Sequence, residues 1–204
     1  MMKRNLKFLL LAPLLMAVLC DPDEDVCGVD DPEAYIVNVE NIAETYQQSE
    51  TIWLNARTTS MLIDFCTETE EPELITDTEV FLDGLFVLKL NNLPGLNAEV
   101  FNDAEIIYDI GEAYSFNSCS NSVNCLPQLT DDSQFYEYRL GISINTPGDY
   151  CIVNARNSYF NLEQENNASI FNGYNTLEDR IRFQDCGDTY TRNGTEGFYF
   201  FSIN

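Results

Sequence analysis

The chain contains no histidine and a single tryptophan. Without histidine, Ser-His-Asp and Cys-His relays have no base and histidine-ligated zinc has no ligand. The commonest acid/base group near neutral pH is missing as well. Basic residues are scarce: 10 Lys+Arg stand against 34 Asp+Glu, a formal net charge of −24. That balance argues against nucleic acid as a partner, because such binding rests on neutralising phosphates. It equally argues against charge-driven docking on anionic lipid. No Cys-x-x-Cys pair occurs, so zinc ribbons and thioredoxin-like redox motifs find no support. Nucleophile elbows, phosphate-cradling Gly-rich loops and dinucleotide fingerprints are absent too.

Long apolar runs are missing except at the start. Lys3, Arg4 and Lys7 flank a stretch from Phe8 to Leu19 that is apolar apart from Pro13 and stops at Cys20. A bilayer needs roughly 20 apolar residues. The shorter, basic-flanked, N-terminal stretch fits a signal-peptide core instead. Its end, Ala17-Val18-Leu19-Cys20, resembles a bacterial lipobox, with Ala17 where that motif usually has Leu and Leu19 where it has Gly or Ala. The acidic run Asp21-Pro22-Asp23-Glu24-Asp25 behind it resembles the export tag of Bacteroidota surface lipoproteins. These resemblances imply lipidation of Cys20, attachment to the membrane through that lipid, and exposure on the outer leaflet of the outer membrane. The expected organisation is a signal peptide over 1–19, a lipidated acidic tether over 20–33 and one domain over 34–204. Loss of 1–19 removes three of the ten Lys+Arg and no acid, which leaves a net charge of −27.

Cysteine count agrees with a lipid anchor. There are seven, at 20, 27, 66, 119, 125, 151 and 186. An odd count in an exported chain asks for a special role for one of them. With Cys20 acylated, the rest suffice for three disulfides in an oxidising compartment. Cys119 with Cys125 is the first expected pair, because an Asn- and Ser-rich stretch can turn between them. Cys151 with Cys186 is next, as neighbours of strands, and Cys27 with Cys66 follows by elimination.

The body of the chain reads as short strands separated by turn residues. Tyr35–Val39, Thr51–Ala56, Met61–Phe65, Val80–Leu82, Leu85–Leu90, Arg180–Phe183 and Phe198–Ile203 are candidates, with two more between Ala98 and Phe116. Asp83-Gly84 fits either a tight hairpin turn or a bulge in one strand. From 135 to 144, Tyr136, Tyr138, Leu140, Ile142 and Ile144 alternate with polar residues, the period of a half-buried strand. Thr146-Pro147-Gly148 is turn chemistry, and Tyr150 to Ala155 reads as the returning arm of a hairpin. Phe198–Ile203 is apolar on both faces and is expected in mid-sheet. A short helix is weighed at Leu162–Ile170. The pattern predicts an all-β, antiparallel β-sandwich. Immunoglobulin-like topology comes first and a jelly roll is the alternative.

No motif requires a cofactor. Calcium is the one metal whose oxygen ligands the loops offer, at Asp185 and Asp188 or at Asp131 and Asp132. Trp53, Tyr136, Tyr138 and Tyr199 are candidates for a sugar-stacking platform, although alternating aromatics usually form core. The first functional expectation is a non-catalytic surface binding or structural module that contacts an envelope protein or a glycan. The second is a glycan hydrolase working through two carboxylates, or a carbohydrate-binding module of a polysaccharide-uptake system.

Overall fold

The computed structural model describes residues 28–65, 71–116, 119–156, 158–194 and 196–204. The chain runs β1 (Tyr35–Val39), β2 (Thr45–Tyr46), β3 (Thr51–Thr59), β4 (Met61–Leu62), β5 (Glu73–Leu74), β6 (Asp83–Leu90), β7 (Ala98–Val100), β8 (Glu105–Ile110) and β9 (Glu112–Ala113). It continues with β10 (Val123–Leu126), β11 (Gln128–Leu129), β12 (Phe135–Ser143), β13 (Gly148–Asn154), β14 (Ser158–Phe160), β15 (Arg180–Asp185), β16 (Asp188–Asn193) and β17 (Tyr199–Ile203). Short 3₁₀ turns occupy Thr78–Phe81 and Ala168–Gly173.

Two sheets stack face to face. The first has the order β11-β12-β3-β1-β14, with β8 also paired to β12. The second has the order β2-β17-β13-β6-β10-β9, with β7 also paired to β6. The long strands pair antiparallel, and the parallel pairs, β1 with β14 and β17 with β2, lie toward the sheet margins. The fold is an all-β sandwich, and four strands of each sheet, β8-β12-β3-β1 and β17-β13-β6-β7, follow the strand order known from immunoglobulin-like domains, with short strands added at the margins.

Period-two alternation builds the core. In β3, Ile52, Leu54, Ala56 and Thr58 point inward while Trp53, Asn55 and Arg57 point out. Nine residues of β3 pair with β12 in unbroken register, Leu54 opposite Leu140 and Ile52 opposite Ile142. Their inward side chains meet Leu85 and Val87 of β6, Tyr150 and Ile152 of β13, and Phe201 of β17.

The second sheet is buried on its other face as well. Phe86, Leu88, Cys151, Val153 and Phe200 form a second core with Phe171, Ile181 and Phe183 from residues 161–194. The β15–β16 hairpin is therefore a third layer. This explains β17, whose two apolar faces reflect two cores. It is not central, because only the two-residue β2 lies beyond it.

Several expectations need correction. The predicted 135–155 hairpin is instead a crossing between sheets: β12 lies in the first and β13 in the second. Tyr150 braces the crossing, its hydroxyl donating to Thr146 O at 2.8 Å. The arrangement is similar to the tyrosine corner of immunoglobulin-like domains. Of the two readings of Asp83-Gly84, the hairpin turn falls and the single strand holds, both residues opening β6. Val80 and Phe81 belong to a 3₁₀ turn, and the helical segment near 162–170 is a 3₁₀ turn placed later. The expected tether end is bonded to the domain. Val29 bridges Asp64, and Thr58 Oγ1 donates to Glu33 O.

Candidate functional site

Beside the third layer, the sandwich leaves a groove of about 360 Å³. Phe86, Phe116 and Tyr190 line it with Ala155, with Cys119, Ser120 and Ser122, and with Arg156 and Arg192. None of its lining residues is acidic, in a chain with 34 Asp+Glu.

Each arginine is placed by backbone geometry. Arg156 lies two residues past Asn154, the last of β13, where the chain leaves the second sheet for the first. Its guanidinium lies over the Phe116 ring, 4.1 Å from the centroid. Its stem crosses Gly84: a Cβ there would stand 3.6 Å from Arg156 Cδ and only 2.6 Å from Asn124 Oδ1. Glycine in that strand thus permits a close approach. Arg192 sits in β16, and its Nε donates to Asn154 O at 3.4 Å. The Asn154 side-chain amide donates in turn to Arg156 O at 3.2 Å, so one residue ties both arginines. Among the described residues neither forms an ion pair.

The rim is clamped. Cys119 is disulfide-bonded to Cys186 at the β15–β16 tip. Next to it, Asn121 N and Nδ2 both donate to the Asp185 carboxylate. Ser120 and Ser122 share a hydroxyl hydrogen bond of 2.8 Å along this loop.

The bridge overturns the predicted pairs Cys119–Cys125 and Cys151–Cys186. Cys125 and Cys151 are free thiols buried in different cores. Burial pushes the Cys125 thiol up to about 12 and holds that of Cys151 well above the ordinary thiol range. Inward-pointing strand positions are apolar slots, and Cys fills them as a small hydrophobe. Cys20, Cys27 and Cys66 lie outside the described residues, and with them the expected lipidation site and the expected third pair.

The calcium candidates have other work. Asp185 is 4 % exposed and its carboxylate is occupied by Asn121. Asp185 and Asp188 flank a two-residue turn at Cys186 and Gly187, both at positive φ. That is the geometry of a type I′ hairpin. Asp132 accepts from Thr130 Oγ1 and Gln134 N within its own turn. Among the described residues no group of three or more His, Cys, Asp or Glu could hold a metal ion.

The four aromatic candidates do not share a face. Tyr136, Tyr138 and Tyr199 are at most 2 % exposed, their hydroxyls satisfied inside by Ile75 O, Asp83 and Ala43 O. Trp53 lies on the outer face of the first sheet, against Gly141. Arg139 covers its ring at 4.0 Å. Two carboxylates, Glu40 and Asp109, hold that guanidinium at 2.8 Å each. The Arg139 hydrogen bonds keep Glu40 well below the usual carboxylate range, at about 2.

Sequence reasoning missed Phe116, Arg156, Tyr190 and Arg192. A signal existed: of the seven Lys+Arg beyond Cys20, four fall between Arg156 and Arg192, a local charge asymmetry. No protein-family model, curated protein or solved structure matches the chain. Among the described residues no helix is long and apolar enough to cross a membrane.

Proposed function

We propose that this protein is a non-catalytic binding module, carried on the outer-membrane surface by a lipid at Cys20, that holds an anionic ligand. The observation that carries the reading is the groove. Two arginines that form no ion pair among the described residues line it together with aromatic side chains and no acidic lining residue, although acids outnumber bases more than threefold in the chain. Guanidinium groups are planar forks suited to carboxylate or phosphate oxygens. A glycan or an envelope protein is the expected source of the anion.

The hydrolase reading has one carboxyl in its favour. Asp83 has its pKa raised to about 6, the range of a general acid. Yet Asp83 is 1 % exposed and its partner is the buried Tyr138 hydroxyl, so binding is the better supported role.

Two measurements test the proposal. Cys20→Ala should release the chain from the membrane fraction while leaving it folded. Acetate and inorganic phosphate, at millimolar concentration, should shift the NMR resonances of Arg156 and Arg192 in the full chain. Neither anion perturbing the groove would end the anion-binding reading.

A further inference from the structure

The groove's neutral rim says more about the ligand than its charge does. We propose that it takes a sugar ring bearing one carboxylate, a uronic-acid unit set among neutral sugars. This rests on the anion-binding reading above and narrows it.

Three observations lead there. First, the arginines are held ready. Arg156 is stacked on Phe116 and Arg192 is tethered to Asn154 O. A flat, pre-placed fork favours a planar carboxylate that can accept two parallel hydrogen bonds. Second, the neutral rim is hydroxyl. Ser120 and Ser122 line the groove and bond to each other. Ser122 also donates to Asn124 Oδ1 and Ser120 accepts from Ser122 N, so each hydroxyl keeps a lone pair that can accept from the adjacent hydroxyls of a sugar. An acidic peptide would bring side chains that need apolar slots, and the nearby apolar side chains Phe183 and Ile181 are fully used in the second core. Third, the rest of the molecule limits the ligand's charge. With −24 on the chain, every further negative charge a ligand brings within the Debye length of about 8 Å adds repulsion. One isolated carboxylate meets the two arginines with least repulsion. The volume, about 360 Å³, falls at the small end of the range for compact ligands, about 300–1,000 Å³.

The test is calorimetric titration of the full chain with four probes. They are a trisaccharide with one internal uronate, the same trisaccharide with a neutral ring in its place, a hexaglutamate peptide and inorganic phosphate. Each is repeated on Arg156→Ala, Arg192→Ala and Arg156→Lys, exposed or half-buried positions whose replacement leaves both cores intact. Expected are binding of the uronate sugar, at least tenfold weaker binding of its neutral twin, and about tenfold loss in each alanine variant. Arg156→Lys should recover only part, because it restores charge without the fork. Phosphate or the peptide binding through the arginines while the uronate sugar does not would overturn the sugar assignment and leave the anion-binding reading standing. No probe binding, or binding indifferent to both arginines, would overturn both.

Discussion

At Asp83 a carboxyl is held between the two sheets, 1 % exposed, with the Tyr138 hydroxyl donating to it at 2.8 Å. Burial raises its pKa from the ordinary 3.8 to about 6, against the pull of Tyr138, the Gly84 N–H and the Arg156 charge. The folded chain therefore holds the proton more tightly than the unfolded chain does. The stability linked to it is fully present below pH 3.8 and is lost as pH rises through about 6. Keeping the ionised form inside costs roughly 3 kcal/mol. Asp83→Asn keeps an acceptor for Tyr138 and removes the charge. It should melt higher than the parent at pH 8 and nearly level with it at pH 4. A melting difference that does not change between those pH values would disprove this account. None of it was legible in the sequence, where Asp83-Gly84 fits either a hairpin turn or a bulged strand and neither reading buries the carboxyl. The aromatics show the same limit. Alternation identified Tyr136 and Tyr138 as one face of a strand, but not that their hydroxyls find acceptors indoors. For Trp53 the pattern gave no hint that Arg139 would cover it.

Among the elements, period-two alternation was legible and pairing was not. β1, β3, β6, β12, β13 and β17 fall where alternating or continuous apolar runs predicted strands. Local turn chemistry then misled at Thr146-Pro147-Gly148. Those residues do turn the chain, but across the sandwich, because β12 already has β3 on one side and β8 on the other. Nothing local records that competition. The corner itself rests on Tyr150, fully buried with its ring stacked on Phe201. Its hydroxyl bond to Thr146 O fixes the angle at which β13 enters. Tyr150→Phe keeps the stacking and leaves that carbonyl without its donor. The expected loss is about 1 kcal/mol, within the usual worth of one hydrogen bond. It should be read as a lower urea midpoint with an unchanged m-value. An unchanged midpoint would show that packing alone sets the corner.

For the molecule as a whole, the β15–β16 layer decides whether the groove exists. Ile181 and Phe183 are fully buried on the outer face of the second sheet, and Phe183 packs edge-on to Phe86. Apolar contact of this kind is non-directional, so it holds the layer down without fixing where its tip lies. Directional ties do that: Asn97 to Arg182 at one end, and the Cys119–Cys186 bridge with the Asp185–Asn121 bonds at the other. The bridge joins positions 67 residues apart, and closing a loop of that length constrains the unfolded chain. Its removal should cost roughly 2–4 kcal/mol. A replacement of both cysteines by serine should therefore lower the unfolding midpoint and act unevenly. Amide hydrogen exchange should quicken first in β15 and β16, while the β3–β12 ladder, buried at the sandwich centre, stays protected. The 119–122 rim loosens with the tip, so ligand affinity at Arg156 and Arg192 should fall although neither arginine is altered. A reagent for free thiols should still leave Cys125 and Cys151 unlabelled in the folded variant, since both cores remain closed. Exchange that quickens equally in hairpin and sandwich would mean that the bridge stabilises the domain globally, and that the apolar seam alone sets the third layer in place.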